Sequence, residues 1–464
     1  MTPAGVAGSR DPAGFVYQRE WQLLRQVNAG YRASFERVLA SGALDELQTA
    51  GLLIPHQVAP IELAATQDAW QVLRPEPVRF ISYPYEWSFS QLRDAALLTL
   101  DVQARALARG VTLRDASAYN VQFHRGRPVF IDTLSFGPYE EGRPWVAYRQ
   151  FCEHFLAPLA LMARRDVRLG LLHAQFGDGV PLDLASRLLG PGSWLRPSLA
   201  LHVHLHARAQ TRYADAGGRP SRPSGRLTRS ALVRLVEQLR QTIEALTWEP
   251  AGTTWAEYDT THGYSASATG AKEALVRDLL ARLSPGVTWD LGANTGRFSR
   301  IAADLGGRVV AIDGDHAAVD RTYRTERARG GTQILPLVND LVSPSASSGW
   351  AGGERQSLAE RGPADALLAL AVVHHVAFSG NIALPRIAGW FARLARAAIV
   401  EFVPPNDPQV LRLLAARPEA THAYDLAAFE RAFARHFTIT ARHPVPDTGR
   451  ELFLMHRSDA TAAA

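Results

Sequence analysis

The seven residues Asp290-Leu291-Gly292-Ala293-Asn294-Thr295-Gly296 constrain this chain more than any other stretch. An apolar entry, Val287-Thr288-Trp289, precedes them, and an amphipathic run, Arg297-Phe298-Ser299-Arg300-Ile301-Ala302-Ala303, follows. The order reads as strand, glycine turn, helix. Glycines let the backbone approach a ligand closely, and the helix N-terminus behind them suits a polar or anionic group. A second apolar segment, Arg308-Val309-Val310-Ala311-Ile312, ends at Asp313. A carboxylate about 20 residues past such a turn is where an α/β nucleotide site places its acceptor for ribose hydroxyls.

The alternation continues downstream. Apolar strands are expected at Ile334 to Val338, at Ala366 to Val373 and at Ile399 to Val403, with helical periodicity over Phe298 to Leu305, Ala317 to Arg327 and Ile387 to Arg396. Such alternation predicts a mostly parallel sheet with helices on both faces. Ligands of these sheets sit at the carboxyl ends of the strands, where Asp290, Asp313, Asp340 and His374 fall. A long irregular insertion, Val342 to Pro363, separates the third and fourth strands. Its Gly349-Trp350 and Glu354-Arg355 are candidates for a substrate lid, with a plain surface loop as the competing reading.

The turn lacks the GxGxxG spacing of nicotinamide and flavin binders, and the chain has no GxxxxGK[ST] loop for a nucleoside triphosphate. An acidic residue opening the turn (Asp290), then Gly292 and Gly296, resembles motif I of the class I S-adenosylmethionine-dependent methyltransferases. The resemblance extends through Asn339-Asp340, where that family contacts the adenine. It continues in Asp365-Ala366-Leu367-Leu368-Ala369-Leu370-Ala371-Val372-Val373-His374-His375, similar to its fourth strand and following segment, and in Ala398-Ile399-Val400-Glu401-Phe402-Val403, similar to its fifth. It covers the C-terminal half and implies S-adenosylmethionine as cofactor, held by Asp290, Gly292, Asn294, Gly296, Asp313, Asp340 and Leu370. His374 and His375 are the candidate catalytic bases. Glu401 is a candidate substrate contact or a buried structural carboxylate. Lys272, with Tyr258 and Tyr264 upstream, reads first as a surface lysine and second as a ligand contact. The competing reading of this half is a Rossmann-like fold that has lost its ligand.

The first half carries a different resemblance. In Gly110-Val111-Thr112-Leu113-Arg114-Asp115-Ala116-Ser117-Ala118-Tyr119-Asn120-Val121, Asp115 and Asn120 have the spacing of the catalytic Asp and metal-binding Asn of the protein-kinase-like fold. Val129-Phe130-Ile131-Asp132 is similar to the apolar strand that ends in that family's metal-binding Asp, and the helical run Leu92 to Ala108 fits the same layout. Four departures stand out: Leu113 replaces the loop's His, Thr133-Leu134-Ser135 follows Asp132, no glycine-rich phosphate loop precedes the region, and no lysine precedes Lys272. The resemblance therefore implies a degenerate kinase-like domain. The bland alternative is that Asp115 and Asn120 only tie a loop together. The alternating His202, His204 and His206 would share a face on a strand but scatter on a helix, and they are read as structural rather than metal-binding.

The expected architecture is α/β: a Rossmann-like class I methyltransferase sheet over residues 231–464, preceded by an α+β kinase-like domain over 1–212. The Gly-, Pro-, Ser- and Arg-rich segment 213–230 is the linker, and its Arg219, Arg222, Arg226 and Arg229 are solvated charge. A single cysteine, Cys152, excludes an intrachain disulfide and fits a cytoplasmic setting. No charged-then-apolar leader and no run of membrane-spanning length is visible, so no membrane partner is expected. The net charge of +5 comes from scattered arginines without interleaved aromatics, so nucleic acid is not the favoured partner. The preferred reading is a methyltransferase acting on a small-molecule or glycan-like acceptor. The alternatives are an RNA methyltransferase and a non-catalytic regulator that senses the cofactor. The oligomeric state is not encoded in any feature of the sequence.

Overall fold

The computed structural model describes residues 11–19, 21–208, 228–250, 266–416 and 423–458. It divides into two units: residues 1–249 with Gly349–Glu354, and Pro250–Ser348 with Arg355–Ala464.

The first unit opens on an antiparallel sheet of β1 (Gly14–Arg19), β2 (Gln22–Asn28), β3 (His56–Ala59) and β4 (Ala69–Pro75), in the order β1-β2-β4-β3. Its central helix, Phe89–Ala108, starts at Ser88, whose hydroxyl accepts from Gln91 N while the Gln91 side chain accepts from Ser88 N. That reciprocal cap satisfies two donors that a helix start leaves open. Leu92, Ala95, Ala96, Thr99, Leu100, Gln103, Ala106 and Leu107 form its buried stripe. Two hairpins follow: β5 (Val111–Leu113) pairs with β8 (Phe136–Pro138), and β6 (Val121–His124) pairs with β7 (Arg127–Phe130).

The helix Arg229–Glu244 packs on this central helix, with Arg93 Nη2 donating to the carbonyl of Glu244 at 3.0 Å. This corrects the expected boundary. Leu232, Val236, Leu239 and Ile243 bury their apolar stripe in the first unit, so the division falls at Glu249 rather than at 230. The expected linker lies outside the described residues except for its end, including Arg229; Arg219, Arg222 and Arg226 are outside it.

The second unit is an α/β layer structure. Its seven strands are β9 (Val287–Leu291), β10 (Arg308–Asp313), β11 (Ile334–Val338), β12 (Ala364–Ala369), β13 (Ala395–Phe402), β14 (Phe437–Pro444) and β15 (Glu451–Arg457). They lie in the order β11-β10-β9-β12-β13-β15-β14. The first five are parallel neighbours, whereas β15 runs antiparallel to both β13 and β14. Alternation along β15 builds both faces. Leu452 and Leu454 join Val276, Leu279, Leu280, Ile301 and Ile399 in one core cluster. Phe453 points the other way, into an aromatic cluster with Phe429, itself stacked on Phe433 and Phe402. Among the described residues, no helix is long and apolar enough to cross a membrane.

The expected strand Ala366 to Val373 is shorter than the apolar run. β12 ends at Ala369, Ala371 takes φ +54°, and a short helix, Val373–Phe378, begins. His374 and His375 therefore stand on a helix, not at a strand end.

Candidate active site

Strand β9 delivers the glycine turn to the carboxyl edge of the sheet. Gly292 and Gly296 have φ of +70° and +76°, a region that side chains with a Cβ rarely adopt. Space forbids a substituent at Gly292 as well, because a Cβ there would lie 2.7 Å from Val372 Cγ2. The amides of Gly292 and Ala293 both donate to the carbonyl of Ile312, at 2.8 and 3.0 Å, which ties the turn to the end of β10.

Asp313 completes that tie. Its Oδ2 accepts from Asn294 N and its Oδ1 from Asp315 N, each at 2.8 Å. Burial pushes this carboxyl up to about 6, against the opposing pull of the two amides. A carboxylate offers about four lone-pair positions, so two amides leave capacity for hydroxyl donors. Asp290 lies deeper, buried on β9, where Ser299 Oγ donates to its Oδ2 at 2.6 Å. Burial pushes it up to about 7. Asp340 is exposed and caps its own loop, accepting from Val342 N at 2.9 Å. Its neighbour Asn339 is buried and bonded to Ser345. Leu370 is buried beside the turn into the His374 helix. Asp290, Gly292, Asn294, Gly296 and Asp313 thus share one edge of the sheet, while the Asp340 side chain is used locally.

The two histidines differ. His374 is fully buried, and neither ring nitrogen has a hydrogen-bond partner. His375 is half-buried, its ring centroid 4.1 Å from that of His374. Burial, then the neighbouring Arg450 guanidinium, lowers His375 to about 4. His374 is held well below the usual range by burial, His375, Arg450 and Lys272. Both rings are neutral at physiological pH.

The reading of Lys272 as a surface residue is overturned. It is buried, and its Nζ donates to Glu401 Oε2 at 2.6 Å, while lying 5.0 Å from the centre of the Phe298 ring. Helix Ala266–Leu283 turns this residue onto the same face of β13 as Ile399, two residues before Glu401. The sequence contains one signal for it: Lys272 is the chain's single lysine amid abundant arginine. Arg450 was not singled out at all. It is buried, with its Nε 2.8 Å from Asp407 Oδ2 and its Nη1 3.8 Å from Glu401 Oε1. Tyr258 and Tyr264 lie outside the described residues.

In the insertion, Glu360 accepts from Ser347 Oγ and from Ser357 N and Oγ, giving the loop a hydrogen-bonded base. Gly349, Trp350 and Glu354, the lid candidates, are followed by Arg355, which pairs with Ser348 in an isolated bridge.

In the first unit, Asp115 Oδ1 accepts from Ser117 N at 2.8 Å, a bond that shapes its own loop. Asn120 Nδ2 donates to Ser135 Oγ, and Ser135 Oγ donates to Asp132 Oδ2. Arg25 of β2 forms an ion pair with Asp132. Burial and the neighbouring Asp132 raise Asp115, with the Ser117 amide opposing. The three alternating histidines fall on a helical segment and separate. His202 meets Tyr148 at 2.7 Å, His204 is held between Ser186 and Ser193, and His206 stacks on Tyr148. Among the described residues no group of His, Cys, Asp or Glu converges to hold a metal ion.

No protein-family model matches the chain. It is 34% identical over 477 residues to nodulation protein NoeA of Rhizobium meliloti (strain 1021), covering 98% of this chain and 97% of that protein. Among solved structures it is similar to magnesium protoporphyrin IX methyltransferase from Synechocystis PCC 6803 with bound SAH. There the identity is 17% and the TM-score 0.32, with 44% of this chain and 93% of that one covered. It is also similar to the N-methyltransferase NodS from Bradyrhizobium japonicum WM9, with 11% identity, a TM-score of 0.31, and coverage of 42% and 99%.

Proposed function

The chain belongs to the family of nodulation protein NoeA, and from that premise we propose that its second unit is an S-adenosylmethionine-dependent methyltransferase. Its acceptor is a small molecule or a glycan-like compound. One observation carries the reading: a glycine turn with left-handed backbone at Gly292, Asn294 and Gly296 is bonded to Asp313 at the end of the next strand. The sheet order supports it, since five parallel strands followed by a reversed β15 inside β14 match the class I methyltransferase layout.

The residues present fit the cofactor. Asp313 is a raised, under-coordinated carboxylate at the place where ribose hydroxyls would donate, and Gly292 and Gly296 keep the floor free of side chains. When bound, the cofactor supplies a methyl group already activated by its sulfonium. The chain must then align the acceptor and exclude water, and a neutral hydroxyl or amine also needs somewhere to send its proton. His375, neutral and half-buried, is the group assigned to accept it, and the buried His374 backs it. The first unit is a degenerate kinase-like scaffold in this reading, with the Arg25 guanidinium occupying Asp132.

The test is calorimetric titration with S-adenosylmethionine, coupled to an assay for released S-adenosylhomocysteine over a panel of neutral glycans, amines, carboxylic acids and RNA. Binding with turnover on a small acceptor supports the proposal. Binding without turnover on any class turns it toward a sensor, and turnover confined to RNA refutes the acceptor assignment.

A further inference from the structure

The antiparallel strand of the sheet reaches the ligand edge with its beginning rather than its end. Phe402, the last residue of β13, pairs with Glu451, the first of β15, so the residue before Glu451 arrives at the carboxyl edge of the parallel strands. That residue is Arg450. A tight turn fixes its backbone: Val445 N donates to its carbonyl at 2.9 Å, and its own amide donates to Thr448 Oγ1 at 3.1 Å. Its side chain is 4% exposed, and buried charge persists only where it is paired.

Arg450 spans two segments that would otherwise end freely at this edge. Its Nε holds Asp407, in the loop after β13, and its Nη1 faces Glu401, near the end of β13, which also holds Lys272. Against this group stands the orphan imidazole of His374, fully buried with two unpartnered nitrogens. A buried polar group without a partner calls for an explanation, and a ligand that completes it is one.

We infer that Arg450 is the positioning residue of the acceptor side: by pinning Glu401 and Asp407 it fixes the wall behind His374 and His375 and sets where these imidazoles meet the acceptor. The inference rests on the methyltransferase reading of the same site. The charged and titratable groups around the pair are Lys272, Asp290, Glu401, Asp407, Tyr424 and Arg450. The two helices packed on the His374 helix, Leu384–Leu394 and Pro408–Ala416, contribute only Arg386, Arg393 and Arg412, all exposed. Arg450 is the cation shared by both histidines.

The experiment follows the imidazoles directly, so it needs no acceptor. The full chain, labelled with 15N-histidine and saturated with S-adenosylhomocysteine, is titrated by NMR as wild type, Arg450→Met and Arg450→Lys. His374→Gln and His375→Gln spectra assign the signals. In the wild type neither imidazole should titrate between pH 6 and 8, roughly the range around the ordinary histidine value. In Arg450→Met the His375 midpoint should rise by about one unit, roughly tenfold in proton affinity, with cofactor affinity changed less than about threefold. Arg450→Lys, which keeps the charge, should leave the midpoint near that of the wild type. A purely structural role would lower melting temperature and cofactor affinity without moving the midpoint, and that result overturns the inference. A wild-type His375 titrating at the ordinary value overturns it too, even if the variants fail to fold. Loss of cofactor binding in the wild type contradicts the methyltransferase reading instead, and it is scored separately.

Discussion

Lys272 Nζ and Glu401 Oε2 lie 2.6 Å apart, with their side chains 6% and 0% exposed, so the chain's single lysine is spent on a buried ion pair. The pair links helix Ala266–Leu283 to β13 beside the candidate cofactor floor. Removing one partner of such a pair leaves an uncompensated buried charge, which costs about 3–5 kcal/mol. Lys272→Met should therefore be strongly destabilised in urea. The double variant Lys272→Met with Glu401→Gln should recover most of that loss, because neither charge is then stranded. Equal loss in the single and double variants would mean the pair is not the source of the effect.

A second prediction concerns pH. Burial raises Asp290 from the ordinary 3.8 to about 7, against the opposing bond from Ser299. A raised folded-state value means the unfolded chain releases the proton more readily. The stability tied to this group is then present in full below about pH 4 and is lost as pH rises through about 7. Asp290→Asn, which keeps an acceptor for Ser299, should flatten the fall in melting temperature between those limits. An unchanged slope would show that Asp290 is not the titrating group.

Separate alanine variants test the division of labour between the histidines. His375→Ala should slow methyl transfer by about 10²–10⁴ while leaving cofactor affinity intact, since a positioned base typically contributes that much. His374→Ala empties a fully buried site and should lower the melting temperature first. Wild-type rates in both would place the base elsewhere, with Glu401 next in line.

The first unit is expected to transfer no phosphate. Asp132 is already paired with Arg25 and bonded by Ser135, and no lysine precedes Lys272. Labelled ATP with magnesium should give neither self-labelling nor hydrolysis. Turnover that disappears in both Asp115→Ala and Asp132→Ala would contradict this.

The strand–turn–helix around Gly292 and its bond to Asp313 were legible in sequence because glycine spacing and a carboxylate at a strand end are local signals. The α/β alternation was equally plain. The roles of Lys272 and Arg450 were not. Lys272 meets Glu401 across 129 residues, and Arg450 reaches the site only because β15 is reversed, which an apolar run does not reveal. The helical start at Val373 was hidden inside a continuous apolar stretch, where strand and buried helix look alike. The boundary at Glu249 was missed because the amphipathic helix Arg229–Glu244 fits either neighbour until its packing partner is seen.

The central claim turns on Asp313. Calorimetric titration of the full chain with S-adenosylhomocysteine, for the wild type and Asp313→Ala and across pH, tests it most directly. The wild type should bind, with affinity falling as pH drops through about 6, where Asp313 takes up its proton. Asp313→Ala should bind more weakly by roughly 1.5–3 kcal/mol, the usual worth of a hydrogen bond to a charged group, with no such pH dependence. Equal affinity in a folded Asp313→Ala, or no binding by the wild type, would contradict the account.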